Sequence, residues 1–300
     1  MSISHLLRVC FAACEEASVL IRKLSESSDL EIVEKSSEIF DPQTAADRSA
    51  EIFLFSCINN FFPNLSIIGE EGCGRSDCPD WNDEVKQRVS VRAEQLTIIS
   101  DDRHYDMSAL TLWIDPLDGT RDYVKKNFMC VTTLIGISFN DEPIAGVIYR
   151  PFFNEGVLGS KETGVWRVTN DSIQRVVVNS TAGNIKVLTS ASRSSSILDE
   201  KLAKLKKSLD TAEVIKTGGA GWKFWLMIFE TSEIYFYPQG GMGFWDVCAG
   251  DSILKALGGK VTDCQGENFT YSKQGPSIIR NGVIASIGNR VEHSKICSLA

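Results

Sequence analysis

The chain has 300 residues, 43% of them hydrophobic and 23% charged, which suits a soluble globular protein with one large core or two ordinary ones and excludes intrinsic disorder. Its net charge of −8 lacks the basic footprint of a nucleic-acid binder, although a local cationic pocket stays open. No apolar run approaches the ~18 residues of a membrane span, and nine irregularly spaced cysteines without an N-terminal leader pattern read as reduced thiols in a cytoplasmic protein.

Leu6, Leu7, Cys10, Phe11, Cys14, Ala17, Leu20, Ile21 and Leu24 recur at three- and four-residue steps. They predict a first helix, capped by Ser2 or Ser4. A second helix is expected from about 44 to 62, stopping before Pro63. Residues 65–68 read as a short strand running into Gly69-Glu70-Glu71-Gly72. Residues 73–110 are polar and irregular, and predict a surface insertion with one helical stretch near 82–94. Residues 111–114 form a strand that delivers Asp115. Strands at 131–138 and 144–149 are joined by a turn at Asn140-Asp141-Glu142-Pro143. A composition shift at Pro151 places a boundary there, between a metal-binding α+β half (1–150) and an α/β half (151–300) that completes the substrate site. In the second half, strands fit 185–189, 212–216 and 233–238, and helices fit 197–209, 221–230 and 245–257. That alternation predicts an α/β layout.

Several chemistries lack their residues. The three histidines, His5, His104 and His293, sit in no acidic or Gly-rich cluster, so Ser-His-Asp hydrolysis and His-ligated zinc are unsupported. Cys73 and Cys78 have no second pair. Neither G-x-G-x-x-G nor G-x-x-x-x-G-K-[ST] occurs.

Carboxylates instead concentrate at turns and strand ends: Asp41 to Asp47, Glu70-Glu71, Asp115-Pro-Leu-Asp118-Gly-Thr120, and Asp246 after Phe244-Trp245. In the third segment proline fixes φ and glycine permits a tight turn, so two carboxylates and a carbonyl can converge on a hard cation such as Mg2+. Adjacent Glu70 and Glu71 point to different faces, so at most one reaches that cation directly. Each segment has an ordinary structural reading as well: an Asx-type loop, an acidic turn, or an N-cap for Asp246. Together they would repel strongly without a cation. Two or more Mg2+ ions ~3.5–4 Å apart would offset that repulsion, clamp a phosphate and activate water.

At these residues the chain resembles the lithium-sensitive, Mg2+-dependent inositol monophosphatase superfamily, and within it the 3'(2'),5'-bisphosphate nucleotidases. The segments stand in family order: Ile32-Val-Glu-Lys35, Asp41-x-Gln-Thr-x-Ala-Asp-Arg48, Ile67-Ile-Gly-Glu-Glu71, Trp113-Ile-Asp-Pro-Leu-Asp-Gly-Thr-Arg-Asp-Tyr123, Leu134-Ile-Gly-Ile137, Ile144-Ala-Gly-Val-Ile148, Gly218-Gly-Ala-Gly221 with Lys223, and Trp245-Asp246 leading to Gly258-Gly-Lys-Val-Thr-Asp263. The resemblance implies an αβαβα layered sandwich. It implies Glu70, Asp115, Asp118, Asp246 and the Leu117 carbonyl as ligands of two or three Mg2+ ions, with inhibition by Li+. It implies Thr120 and Asp47 as the pair that activates water, and Gly119, Ser192, Ser195, Gly219 and Lys223 as substrate contacts. The chain departs from the family pattern at Ser195, where a histidine is usual, and at Trp222, where a smaller polar residue is usual.

The implied reaction removes the 3'-phosphate of adenosine 3',5'-bisphosphate, giving AMP, and extends to the sulfated analogue. The expected partner is a small bisphosphorylated molecule, with no nucleic-acid polymer, no membrane and a monomeric state. The neighbouring reading is an inositol polyphosphate 1-phosphatase or inositol monophosphatase. A silent nucleotide or inositol-phosphate sensor is the reading outside enzymology; it has no need of a water-activating threonine.

Overall fold

The computed structural model describes residues 1–35, 42–74, 82–101, 103–178, 183–191, 195–209, 212–230, 232–288 and 290–300. The first helix spans Ile3–Ser25, and Ser2 caps it by accepting a hydrogen bond from the His5 amide. Its apolar stripe meets Leu54 and Ile58 of the helix Ala45–Phe61 and Val89 and Ala93 of the helix Asp83–Gln95. These three helices cover one face of a seven-stranded sheet.

The strands lie in chain order across that sheet: Ser66–Gly69, Leu110–Asp118, Thr132–Phe139, Glu142–Arg150, Glu155–Ser160, Gly164–Val168 and Ile173–Arg175. Only the first pair is parallel. Every residue of Leu110–Asp118 is buried, because both faces of the sheet are covered. Leu112 and Ile114 face the three helices, and Trp113 faces the opposite layer.

Two expectations change here. The stretch 73–110 is more than a surface insertion. Its helix buries Val89 and Ala93 against the first helix, with Leu96 and Ile99 behind them, and pairs Arg88 with Glu16 and Arg92 with Glu15. The charged outer face made the segment look wholly solvated. The boundary expected at 150 falls between two strands of the same sheet, where Arg150 pairs with Glu155. The turn at Pro151 caused the shift in composition. The chain passes to the second sheet only between Arg175 and Ile185.

The second sheet runs in the order Ala212–Thr217, Ile185–Ser190, Ile234–Tyr237, Val283–Ser286, Lys260–Thr262. The first three strands are parallel, and the antiparallel Val283–Ser286 follows. Helices Ser196–Ser208 and His293–Cys297 cover its outer face through Leu198, Leu202, Leu205 and Ile296. Helices Ala220–Phe229 and Phe244–Ala256 fill the space between the two sheets. The result is the αβαβα sandwich.

The Phe244–Ala256 helix rests directly on the first sheet. A methyl group added at Gly136 would lie 2.4 Å from Cys248 Cβ, and one at Gly146 would lie 2.6 Å from the Ala249 carbonyl oxygen. Hydrogen at these two positions lets main chain meet main chain.

Candidate active site

A cleft of about 310 Å3 opens where the two halves meet, at the ends of Leu110–Asp118 and Ser66–Gly69. Strand pairing breaks between Asp115 and Asp118, where Pro116 interrupts the ladder. The Leu117 amide turns back to donate to Asp115 Oδ1 at 3.1 Å. Gly119 follows at φ +87° and starts the short helix Thr120–Val124. This bulge and turn place Asp115, Leu117, Asp118 and Thr120 around the cleft.

Glu70 comes from the loop after Ser66–Gly69, and its amide donates to the Ile114 carbonyl. Asp246 sits in the first turn of Phe244–Ala256, where its Oδ2 also accepts from the Gly243 amide at 2.6 Å. Ligand atoms of Glu70, Asp115 and Asp246 lie within 4.8 Å of one another. Burial raises the Asp115 carboxyl well above its usual range, and the charges of Glu70, Asp118 and Asp246 add to that rise. Glu70 is raised first by burial and then by Asp246. Three carboxylates held this close suit a hard divalent cation, because only such a charge keeps them all ionised. Lys35 offsets part of the charge, bridging Glu70 at 2.9 Å and Glu71 at 2.7 Å. Glu71 itself turns away toward Lys35 and Gln43.

Asp118 stands slightly apart, on the floor of the cleft. Its two oxygens accept from the Ala220 amide at 2.9 Å, the Gly221 amide at 2.8 Å and the Thr132 hydroxyl at 2.8 Å. It therefore caps the helix Ala220–Phe229 from the other half of the molecule. The turn before that helix is tight. Gly219 adopts φ +55°, and a Cβ there would lie 2.3 Å from the Cys130 carbonyl oxygen.

Lys223 is no solvated helix lysine. It is 3% exposed, lines the cleft, and donates to the carbonyls of Gly218 at 3.0 Å and Gly219 at 2.6 Å. Burial pushes its ammonium down to about 8, against the pull of Asp118.

The pair read from the sequence as water-activating is brought together. Thr120 Oγ1 donates to Asp47 Oδ1 at 2.8 Å and lies 3.1 Å from the Leu117 carbonyl. Asp47 is fully buried, and its second oxygen accepts from the Thr44 amide and hydroxyl. Burial pushes it up to about 6, although the hydrogen bonds from Thr44 and Thr120 pull the other way. The spacing Thr44-x-x-Asp47 is a capping box, so this acid serves the helix start with one oxygen and the cleft with the other.

The remaining sequence candidates fare differently. Ser192 and Asp41 lie outside the described residues. Ser195 does not line the cleft; it caps the helix Ser196–Ser208 by accepting from the Leu198 amide at 3.1 Å. Trp222 is buried beneath the Arg150 guanidinium rather than facing the cleft. Aromatic residues absent from the sequence-based set do face it, namely Tyr235, Tyr237 and Trp245. The tyrosines alternate along one inner strand, which is the one signal that could have marked them. Glu51 was also missed. Its position four residues after Asp47 puts both acids on one helical face.

The inositol monophosphatase family model matches residues 3–300. The chain is 32% identical to human "3'(2'),5'-bisphosphate nucleotidase 1", covering 96% of this chain and 92% of that one. It is 30% identical to the protein of the same name from Dictyostelium discoideum, covering 98% and 96%. The crystal structure of extragenic suppressor protein suhB from Bartonella henselae superposes with a TM-score of 0.70 over 98% of this chain and 97% of that one, at 20% identity. With the sandwich, the carboxylate centre and a full-length match in agreement, this chain belongs to the inositol monophosphatase family.

Proposed function

We propose that the chain is a Mg2+-dependent phosphatase that removes the 3'-phosphate of adenosine 3',5'-bisphosphate, giving AMP and phosphate, and that it also accepts the sulfated analogue. The observation that carries this reading is the Asp47–Thr120 hydrogen bond beside the Glu70–Asp115–Asp246 centre. Bound Mg2+, held by those three acids with Asp118 and the Leu117 carbonyl, would supply a Lewis acid that lowers the pKa of water and neutralises phosphate charge.

The chain's own groups do the rest. Asp47 as carboxylate takes the Thr120 proton, which leaves a Thr120 lone pair to receive a proton from water. The water oxygen forms the new bond to phosphorus, the bond to the ribose 3'-oxygen breaks, that oxygen takes a proton from solvent water, and Asp47 returns its proton to solvent. Lys223 holds the phosphate that is kept. Trp245, half-buried at the cleft, gives a nucleobase an apolar surface, while Tyr235 and Tyr237 line the cleft from the packed core. Curated relatives named as bisphosphate nucleotidases support the same choice.

The expected setting is the cytosol, acting as a monomer. All eight described cysteines are free, which suits a reducing compartment. Among the described residues no helix is long and apolar enough to cross a membrane.

The test is phosphate release in Mg2+ from adenosine 3',5'-bisphosphate, inositol 1,4-bisphosphate and inositol 1-phosphate, with and without lithium. Preference for the nucleotide and inhibition by lithium are expected. Preference for an inositol phosphate would overturn the substrate and keep the metal chemistry. No release from any of the three would overturn the reaction.

A further inference from the structure

We propose that Glu51 is a positioning residue that sets the metal centre by holding the loop that carries Glu70. The proposal rests on the Mg2+ reading above. Glu51 is 1% exposed and lies one helical turn beyond Asp47 in Ala45–Phe61. Its Oε2 accepts from the Glu71 amide at 2.8 Å, and its Oε1 accepts from the Cys73 amide at 2.8 Å. Both oxygens are thus spent on the main chain directly after Glu70. A buried carboxylate that spends both oxygens on backbone amides has a holding task, not a ligand's.

The surrounding sequence makes room for it. A Cβ at position 69 would lie 2.3 Å from the Glu51 carboxyl carbon, so Gly69 is required for the carboxylate to reach the loop. Lys35 and Gln43 hold the side chain of Glu71 on the other side of the same loop. Those contacts fix a side chain, while Glu51 fixes the backbone. One helix face therefore serves two tasks: Asp47 holds Thr120, and Glu51 holds Glu70 at its place opposite Asp115 and Asp246.

Glu51→Gln is the test. The amide keeps one acceptor and turns a donor toward the second backbone N–H, so the loop is pushed off one anchor at almost unchanged volume. Mg2+ binding is measured by calorimetry without substrate, beside the exchange of the Glu71 and Cys73 amides in metal-free protein. Loss of an outer partner of a metal site costs about 10–100-fold in metal affinity. The variant is expected to bind Mg2+ at least about tenfold more weakly, with faster exchange at those two amides. The half-saturating Mg2+ of turnover should rise by the same factor, while kcat at saturating Mg2+ changes far less.

Wild-type Mg2+ affinity in a folded Glu51→Gln protein overturns the proposal, whatever happens to the melting temperature. If that variant does not fold, Gly69→Ala displaces the carboxylate without removing it. It should weaken Mg2+ binding likewise, and unchanged affinity there also overturns the proposal. Because calorimetry needs no substrate, a failed substrate assignment leaves this result readable.

Discussion

Asp47→Asn separates the two tasks of one buried acid. An asparagine keeps one oxygen and gains one NH2. With the oxygen toward Thr44, the helix cap survives and the NH2 faces Thr120. With the oxygen toward Thr120, the NH2 opposes the Thr44 amide and leaves a buried donor unpaired, at about 1–3 kcal/mol. The first orientation wins by that margin. The new NH2 then donates to Thr120, and the Thr120 hydroxyl turns to the Leu117 carbonyl 3.1 Å away. Its lone pair no longer receives a proton from water. General-base assistance is worth about 10²–10⁴ in rate, or roughly 3–5 kcal/mol of barrier. The expected result is a kcat loss of that size at saturating Mg2+, with a thermal stability change under about 1 kcal/mol. Wild-type turnover should also fall as pH drops through about 6, where Asp47 takes up a proton, and the variant should lack that inflection. Phosphate release across pH, paired with calorimetric melting, reads both quantities. A kcat within threefold of wild type would refute the proton path through Thr120.

Three further outcomes are expected. Gly219→Ala places a Cβ 2.3 Å from the Cys130 carbonyl at φ +55°, so it should cost about 1–3 kcal/mol of stability and raise KM, read by melting and steady-state kinetics. Adding Mg2+ to protein stripped with EDTA should stabilise it by about 2.7 kcal/mol at a hundredfold excess over Kd and raise the melting temperature accordingly; a metal-independent melting curve would contradict the carboxylate centre. His293, half-buried and hydrogen-bonded between Thr262 and Ser286, is pushed down to about 4 by desolvation from its ordinary 6.5. The unfolded chain binds the proton first, so its contribution is full above 6.5 and is lost as pH falls toward about 4. After discounting for partial exposure this amounts to about 1–2 kcal/mol, and His293→Gln should remove that share of the acid sensitivity in denaturant titrations.

The turn that carries Asp115 and Asp118 was legible because it rests on local signals, whereas the layered sandwich and the full set of acids were expected only through the family resemblance. Proline, glycine and aspartate in Asp115-Pro-Leu-Asp118-Gly-Thr120 specify a bulge and a turn with little outside help. The long helices followed from their periodicity, and the Asn140-Asp141 turn from residues that tolerate positive φ. Partnerships across the chain were not legible. Thr120 and Asp47 are 73 residues apart, and only the family resemblance paired them; nothing in either segment by itself names the other. Glu51 reads as an ordinary helical glutamate until the loop at 70–73 is folded against it. The helix Asp83–Gln95 showed its charges and hid Val89 and Ala93, because a two-residue apolar stripe is too weak to count. Strands Glu155–Ser160 and Gly164–Val168 escaped notice because glycine dilutes their alternation.

The seat of the Phe244–Ala256 helix on Gly136 and Gly146 divides the core by tolerance. A side chain in a packed interior absorbs neighbouring changes by shifting rotamer. A backbone laid on a backbone has no such slack. The spacing of Asp246 from Asp115 is therefore machined by two hydrogen atoms on the sheet, as a dowel is by its hole. Apolar exchanges among Leu112, Ile135 and Val147 on the opposite face can drift over generations without moving the ion-holding corner. One extra methyl at residue 136 or 146 would lift the helix and Asp246 with it. Variation in this fold should be freest in the layers far from that contact and most restricted at two positions that carry no chemistry of their own.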